Sequence, residues 1–144
     1  MPPMQASARS LSLFASLVLA TACGGRPATE PIDWMDVDDW SVHVVTEDAD
    51  GDLRVTRIWV GVVDGAGMIR TQRSRWRENL ERGSPCWLRV GGIDYPMNVE
   101  FVTDPELRRR TDLAFLTKYG WQERLVIEEN RAQSDDPYMR LTTR

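Results

Sequence analysis

The chain has 144 residues, which is enough for one domain with a single hydrophobic core. Its 22 acidic and 18 basic side chains give a formal net charge of −4, which argues against nucleic acid as a general partner. The acidic side chains concentrate in residues 30–52 and the arginines in residues 54–82. A local basic patch on an acidic protein suits a small anionic ligand better than a polyanion.

The first 23 residues have the pattern of an export signal. One positive charge, Arg9, precedes an apolar run over residues 11–20, which is too short to span a bilayer. Small residues then precede Cys23, an arrangement that resembles a bacterial lipobox, where the chain is cut before a cysteine that then carries lipid. The resemblance implies a signal peptide over residues 1–22, a lipid anchor on Cys23 and attachment to the bacterial cell envelope. The alternatives are a plain secretory signal cut nearby and a buried core segment.

The second cysteine of the chain is Cys86. If Cys23 is acylated, Cys86 has no partner within the chain, although exported cysteines usually occur in pairs. Its neighbours Pro85 and Trp87 favour a buried thiol over a reactive one.

The segment that follows the predicted signal peptide is a predicted tether. Residues 23–32 are rich in Gly, Pro and small side chains and predict a flexible link, which leaves residues 33–144 as the folded domain. Residues 33–40 predict a short acidic helical turn. Residues 48–52, Asp-Ala-Asp-Gly-Asp, resemble part of a calcium loop but favour a hairpin turn, because the glycine and closing glutamate of an EF-hand are not at their proper positions.

Five segments with strand-like patterns follow the acidic region. Residues 42–46 and 53–63 are rich in β-branched side chains, and the later half of the second is apolar on both faces, as in a central strand. Residues 68–71 predict a returning strand. Strict alternation over residues 86–90 and 93–101, joined by a Gly-Gly turn, predicts a long hairpin, in which Pro96 indicates an edge or a bulge.

Helices are predicted between and after these strands. Residues 74–82 predict a helix that ends at Gly83. Thr103 with Glu106 resembles a capping box that begins a second helix, which Gly120 ends. Residues 121–130 favour another helix, although they also permit a strand, and residues 138–142 predict a last strand. The fold class is therefore α+β, mainly β: a small six-stranded antiparallel barrel with two or three helices.

A basic turn joins a predicted strand to a predicted helix at residues 70–75. Its hydroxyl and guanidinium groups suit a phosphate, because first-turn N–H groups lack intrahelical partners and the helix dipole favours an anion. Arginine adds a planar fork that grips phosphate oxygens in pairs. Ser74 is equally interpretable as an ordinary N-cap whose hydroxyl accepts from the N–H of Arg77.

The element order strand, turn, strand, Thr-x-x-Ser-Arg, helix resembles the split-barrel flavin-binding superfamily of pyridoxamine 5′-phosphate oxidase. A branch near the deazaflavin-dependent nitroreductases is more similar still. The residues that carry this second resemblance are Ile58-Trp59-Val60, Ile69-Arg70-Thr71, Arg75-Trp76 and Lys118-Tyr119-Gly120. Trp76 stands where the superfamily has a lysine.

The resemblance implies a split β-barrel that binds FMN or a deazaflavin, with a homodimer as the expected assembly. It places the cofactor phosphate on Thr71, Ser74 and Arg75. An upstream arginine helps in the superfamily, and Arg54 or Arg57 matches it.

The full set of candidate cofactor-binding residues adds neighbours of this motif. Arg70 and Arg73 extend the phosphate site, and Trp59 and Trp76 are candidates to cover an apolar ring face, with core packing as the alternative. His43 is the only histidine, so no Ser/His/Asp or Cys/His triad is favoured and no His-rich metal site is expected. Tyr119 is a candidate proton donor or a packing residue.

Two functions follow from these observations. The first is a flavin- or deazaflavin-dependent oxidoreductase, in which the cofactor performs the chemistry and the protein binds and orients it. The second is a non-catalytic, envelope-anchored barrel that binds a small ligand or a partner. Export weighs against the first and makes the second a comparable alternative, because flavins are loaded mainly in the cytoplasm and only Arg9 precedes the apolar run, so there is no twin-arginine signal.

Overall fold

The computed structural model describes residues 24–38, 41–124 and 136–144. The predicted signal peptide and Cys23 lie outside the described residues. In chain order the elements are β1 (Arg26–Pro27), a 3-10 helix (Trp34–Asp36), β2 (Val42–Glu47), β3 (Leu53–Ile58), β4 (Gly61–Val63), β5 (Ala66–Arg70), α1 (Arg75–Glu81), β6 (Cys86–Val90), β7 (Ile93–Val102), α2 (Pro105–Tyr119) and β8 (Tyr138–Thr143). Residues 121–124 are also helical, as predicted, and the rest of that predicted helix lies outside the described residues.

One sheet contains all of these strands and curls into a half-barrel. Seven strands follow the order β3-β2-β6-β7-β8-β5-β4 with antiparallel neighbours, and β1 pairs in parallel with the start of β7. The first and last strands of this order, β3 and β4, are separated in sequence only by Trp59 and Val60. Because consecutive Cα atoms are about 3.8 Å apart, the sheet must curl until these two strands meet end to end. The predicted α+β split barrel is confirmed, and the sheet has eight strands within the described residues where the sequence predicts six.

The single strand predicted over residues 53–63 is wrong, because the chain breaks into β3 and β4 at Trp59 and Val60. The predicted central position is wrong as well, since β3 and β4 form the two ends of the sheet order. The apolar character of the segment has two separate causes. Val60 packs inside the barrel, whereas Val63 packs with the aromatic side chains of α2 on the outside.

The hydroxyl of Tyr119 satisfies the backbone at this break. It accepts a hydrogen bond from the Val60 N–H at 3.0 Å and donates one to the Val60 carbonyl at 3.1 Å. The Tyr119 ring also stacks on Trp59, with centroids 4.4 Å apart. A buried backbone group that leaves a sheet ladder must find another partner, and α2 supplies it here.

Part of the segment predicted as a tether is packed against the barrel. Arg26 and Pro27 form β1, and Ile32 is buried in the barrel core. Trp34 follows and lies directly on Gly67 of β5, where a Cβ atom would come within 2.2 Å of the indole ring. The glycine is therefore required by close approach of the ring, and the N-terminal segment contributes to the core.

Local signals placed most element ends correctly. The hairpin turn at residues 48–52 is confirmed by hydrogen bonds from the Asp48 N–H to the Asp52 carbonyl at 2.8 Å and from the Gly51 N–H to the Asp48 carbonyl at 2.9 Å. The helix predicted over residues 74–82 is confirmed as α1, with Ser74 as its N-cap. The predicted Thr103 capping box is wrong: Asp104 is the N-cap of α2 and accepts from the next two available N–H groups.

Pro96 lies where β7 changes partners. Its carbonyl accepts from the Arg144 N–H, beyond the last paired residue of β8, Thr143. Because the carbonyl and nitrogen of one strand residue face the same side, the missing N–H of Pro96 falls where β8 has already ended. The end of β8 opposite Pro96 is the physical basis of the edge that the sequence predicts at this position.

The barrel interior holds the predicted buried thiol. Cys86 is free and 2% exposed within the interior cluster, and burial raises the pKa of its thiol to about 12. The thiolate, which is the reactive form, is therefore disfavoured at neutral pH.

Replacing Tyr119 with Phe tests the role of its hydroxyl at the break. We expect Tyr119→Phe to lower the free energy of unfolding by about 1–3 kcal/mol, because the buried Val60 N–H loses its partner. Chemical denaturation measures the change. The matched control is Tyr95→Phe, on a half-buried tyrosine of the barrel, for which we expect less than about 0.5 kcal/mol. Equal stability of the two variants would contradict this role.

Candidate functional site

The basic turn (residues 70–75) lies between β5 and α1. Ser74 has extended backbone angles, and its Oγ accepts from the Arg77 N–H at 3.4 Å, so it caps α1. The Thr71 hydroxyl donates to the same Oγ at 3.3 Å. Two hydroxyl groups therefore lie side by side at the start of the helix, as the motif predicts.

Two arginines of the basic turn have no partner within the described part of the chain. Arg73 and Arg75 are exposed, and neither forms a hydrogen bond or an ion pair with a described residue. Their guanidinium groups, next to the hydroxyls of Thr71 and Ser74, are available to an anion. This combination of donors matches the oxygens of a phosphate.

Arg54 lies on the hairpin beside α1 and is held by a carboxylate. Its Nε and Nη2 donate to the two oxygens of Asp48, at 2.9 and 2.6 Å. The Asn79 amide of α1 donates to the same carboxylate at 2.7 Å and to the Thr46 hydroxyl at 3.0 Å. The hydrogen bonds from Arg54 and then Asn79 lower the pKa of Asp48 to about 2, and the charge of Arg75 acts in the same direction. We call Asp48, Arg54 and Asn79 the Asp48 cluster.

Arg70 points away from the basic turn, into a buried cluster beside α2. Its Nη1 donates to Asp112 at 2.6 Å, its Nη2 pairs with Glu123, and its guanidinium lies 4.6 Å from the centroid of the Phe115 ring. Tyr138 donates to Asp112 at 2.6 Å. These residues form the Arg70 cluster, which holds the guanidinium between β5, β8 and α2.

Burial raises the pKa values of two acidic groups in the Arg70 cluster. Glu123 is fully buried, and burial raises its pKa against the opposing effect of Arg70. Burial and then the hydrogen bond to Asp112 raise the pKa of Tyr138 to about 12. Sequence reasoning missed this cluster, although the spacing of Asp112, Phe115 and Tyr119 places them on one face of a helix.

The other candidate residues do not converge on the basic turn. Arg54 and Arg57 alternate along β3, so their side chains occupy opposite faces, and Arg57 lies opposite His43 of β2. Trp76 is 4% exposed in the barrel interior, and Trp59 stacks on Tyr119. The structure thus brings together Thr71, Arg73, Ser74 and Arg75. Arg54 lies in the adjoining Asp48 cluster, whose Asn79 is about one turn of α1 from Arg75.

A shallow apolar groove of about 480 Å³ lies elsewhere on the surface. It is lined by Glu30, Pro31, Ile32, Asp33, Trp34, Met35, Val62 and Gly65. Its ionisable lining groups are two carboxylates, which repel an anion. The groove therefore competes poorly with the basic turn for a phosphate.

Two further findings concern the described residues alone. No helix among them is long and apolar enough to cross a membrane. No three His, Cys, Asp or Glu side chains within residues 24–38, 41–124 and 136–144 lie close enough together to hold a metal ion.

Comparison of the sequence with protein-family models finds no match, and no curated protein matches it significantly. Solved structures do match. The conserved hypothetical protein Rv2991 from Mycobacterium tuberculosis is 18% identical with a TM-score of 0.56, over 83% of this chain and 86% of that one. A heme binding protein from Mycobacterium smegmatis is 13% identical with a TM-score of 0.57, over 74% of this chain and 47% of that one. HutZ, the heme storage protein from Vibrio cholerae, is 13% identical with a TM-score of 0.54, over 73% and 82%. At these identities the likeness establishes a shared fold, the split barrel.

The lowered pKa of Asp48 predicts a specific acid sensitivity. Folding lowers the pKa of this carboxylate from the ordinary 3.8 to about 2. The carboxylate therefore stabilises the folded state fully at pH values above 3.8, and this stabilisation is lost as the pH falls from 3.8 toward 2. We therefore expect the melting temperature of the wild type to fall more steeply across this window than that of Asp48→Asn. Asp52→Asn, an exposed carboxylate of the same turn, should follow the wild type. Parallel curves for all three proteins would contradict the prediction.

Proposed function

We propose that the protein is a split barrel that binds a small planar cofactor carrying a phosphate, FMN or a deazaflavin, with the phosphate on the basic turn. The observation that carries the proposal is the pair of free guanidinium groups on Arg73 and Arg75 beside the hydroxyls of Thr71 and Ser74. The fold supports the coarser part, a small-ligand-binding barrel, because its solved examples include a heme binding protein and a heme storage protein.

The residues of the basic turn fit the phosphate of such a cofactor. Ser74 offers a hydroxyl donor, Thr71 donates its own hydroxyl hydrogen to the Ser74 Oγ beside it, and the arginines offer charge and paired N–H groups at the surface. Trp59 and Trp76 do not extend this fit to the ring, since the first stacks on Tyr119 and the second is buried in the core. When bound, a flavin-type ring supplies hydride or electron transfer, and the role of the chain is to bind and orient it.

A second candidate is a barrel that binds the ligand without turning it over. Two groups suited to proton transfer or charge stabilisation are already occupied. The Tyr119 hydroxyl is hydrogen-bonded to Val60, and the Arg70 guanidinium is paired with Asp112 and Glu123. Reduction of bound flavin by a chemical electron donor, followed by transfer to an added acceptor, distinguishes the oxidoreductase from the binding protein.

Removal of the free arginines tests the phosphate site. We expect Arg73→Ala with Arg75→Ala to weaken FMN affinity by about 10- to 100-fold, because hydrogen bonds to charged groups contribute roughly a factor of ten each. Quenching of flavin fluorescence by the detergent-solubilised full chain measures the dissociation constant.

The matched control for this test removes the same charge elsewhere. Arg26 and Arg109 are exposed. The ion pair of Arg109 with Glu106 lies at the surface and contributes little to the stability of the fold. Arg26→Ala with Arg109→Ala should keep the wild-type affinity. Equal affinity of both double variants, or no flavin binding by the wild type, would overturn the proposal.

We also propose that the protein is exported and anchored to the cell envelope through lipid on Cys23, with the homodimer implied by the resemblance as its assembly. The apolar run before Cys23 supports the anchor. We expect Cys23→Ser to move the protein from the membrane fraction to the soluble fraction and to abolish incorporation of labelled palmitate. Cys86→Ala, at the buried cysteine, should leave both unchanged. Retention of Cys23→Ser in the membrane fraction with label would exclude this anchor.

A further inference from the structure

The Asp48 carboxylate is surrounded by donors that would suit a phosphate equally well. The planar fork of Arg54 holds both of its oxygens, and the Asn79 amide adds a third hydrogen bond at 2.7 Å. Guanidinium groups match carboxylate and phosphate oxygens in the same bidentate geometry. The carboxylate is therefore bound as an external oxyanion would be.

The Asn79 amide beside this carboxylate is held in place by other contacts. Asn79 is 2% exposed, its amide nitrogen also donates to the fully buried Thr46, and its oxygen accepts from Arg82 Nη2 at 3.0 Å. The backbone of Arg54 belongs to β3, so only its side chain depends on Asp48 for its position. If the Asp48 side chain turned away, the Asn79 amide would keep its position because these neighbours fix it.

The Asp48 cluster adjoins the basic turn. Arg75 and Asn79 are four residues apart on α1, so they share one face of the helix, and the charge of Arg75 reaches Asp48. Arg75 has no hydrogen bond or ion pair to a described residue. A row of donors therefore runs from Ser74 through Arg75 and Asn79 to Arg54.

The carboxylate can leave this row without disrupting the hairpin. The turn is closed by backbone hydrogen bonds from the Asp48 N–H and to the Asp48 carbonyl, neither of which involves the side chain. The next residues of the turn, Ala49 and Asp50, are exposed. A turned-out Asp48 side chain would therefore leave the backbone hydrogen bonds of the turn in place.

We infer that the Asp48 carboxylate occupies one end of the anion site and that a phosphate-bearing ligand binds by displacing it from Arg54 and Asn79. This inference rests on the proposed function and adds selectivity between anionic ligands to the same site. A singly charged anion gains little by replacing a tethered carboxylate of equal charge. A phosphate monoester, close to doubly charged at neutral pH, gains more from Arg54 and Arg75 together. The site therefore favours phosphate esters over carboxylates.

The experiment compares inorganic phosphate and FMN as probes on the full chain. Isothermal titration calorimetry with phosphate, and fluorescence quenching with FMN, give affinities for the wild type and for Asp48→Asn, which keeps the side-chain shape. We expect Asp48→Asn to bind both probes about tenfold more tightly, because it frees a charged donor pair. Adding Arg54→Ala to this variant should abolish the gain. Asp52→Asn, with the same charge change in the same turn, should show no gain.

The outcomes separate this inference from the proposed function. Wild-type FMN binding with no tighter binding by Asp48→Asn overturns the inference and leaves the function intact. Tighter phosphate binding by Asp48→Asn, with no FMN binding by any variant, supports the displaced carboxylate and overturns the cofactor. No phosphate or FMN binding by Asp48→Asn overturns both.

A measurement on the wild-type protein tests the inference even if the Asp48→Asn variant does not fold. Nitrogen-15 spectra report the Arg54 Nε–H and the Asn79 side-chain amide directly. Both signals should shift together when phosphate is added to saturation. Unshifted signals at saturation overturn the inference, since the ligand would then bind without reaching these donors.

Discussion

The fold depends on how the backbone is satisfied where the sheet closes. β3 and β4 lie at opposite ends of the strand order but are consecutive in sequence, so the chain must leave the ladder between them. Val60 is fully buried at that point, and its N–H would be unpaired without the Tyr119 hydroxyl, whereas its carbonyl accepts from that hydroxyl and from Lys118 Nζ at 3.2 Å. Unpaired buried backbone groups are costly, so α2 must lie across the gap. The absence of a side chain at Gly61 lets Phe115 approach, since a Cβ there would lie 2.9 Å from its ring.

The position of α2 in turn decides the direction of the arginines. With α2 across the gap, Asp112 lies next to the end of β5 and draws Arg70 into the buried cluster with Glu123. Arg73 and Arg75, a few residues further along, form no ion pair with a described residue and remain at the surface, although the charge of Arg75 reaches Asp48. One basic segment is thus divided between a structural ion-pair cluster and a candidate ligand site. The division is electrostatic, because each buried guanidinium requires a carboxylate and each exposed one does not.

On the other side of the turn, α1 is joined to the β2–β3 hairpin by polar contacts. Asn79 links Thr46 and Asp48 to the helix, while Trp76 and Leu80 anchor its apolar face in the barrel. The helix that carries Arg75 and Asn79 is therefore fixed to the sheet by polar and apolar contacts of one face. A ligand at this place would meet exposed donors of the turn next to Asn79, whose amide is held by the core, and a donor already held in place reduces the conformational entropy lost on binding.

Local physics allowed the sequence by itself to determine the long alternating hairpin of β6 and β7, the N-cap of α1 at Ser74, the turn at residues 48–52 and the burial of Cys86. Period-two patterning, capping chemistry and turn residues act over a few positions, so they can be recognised without the fold. The sequence also pointed to Thr71, Ser74 and their neighbouring arginines as one group, because they lie within five residues of each other.

Only the tertiary structure decided the break at Val60 and the partners of Arg70. The Tyr119 hydroxyl is 59 residues from Val60, and the carboxylates of Asp112 and Glu123 are 42 and 53 residues from Arg70. Local patterning carries no record of such separations, and a long arginine side chain turns toward whichever carboxylate the fold brings near. The sequence therefore determined where the donors stand along the chain, and the curled sheet determined which of them remain free.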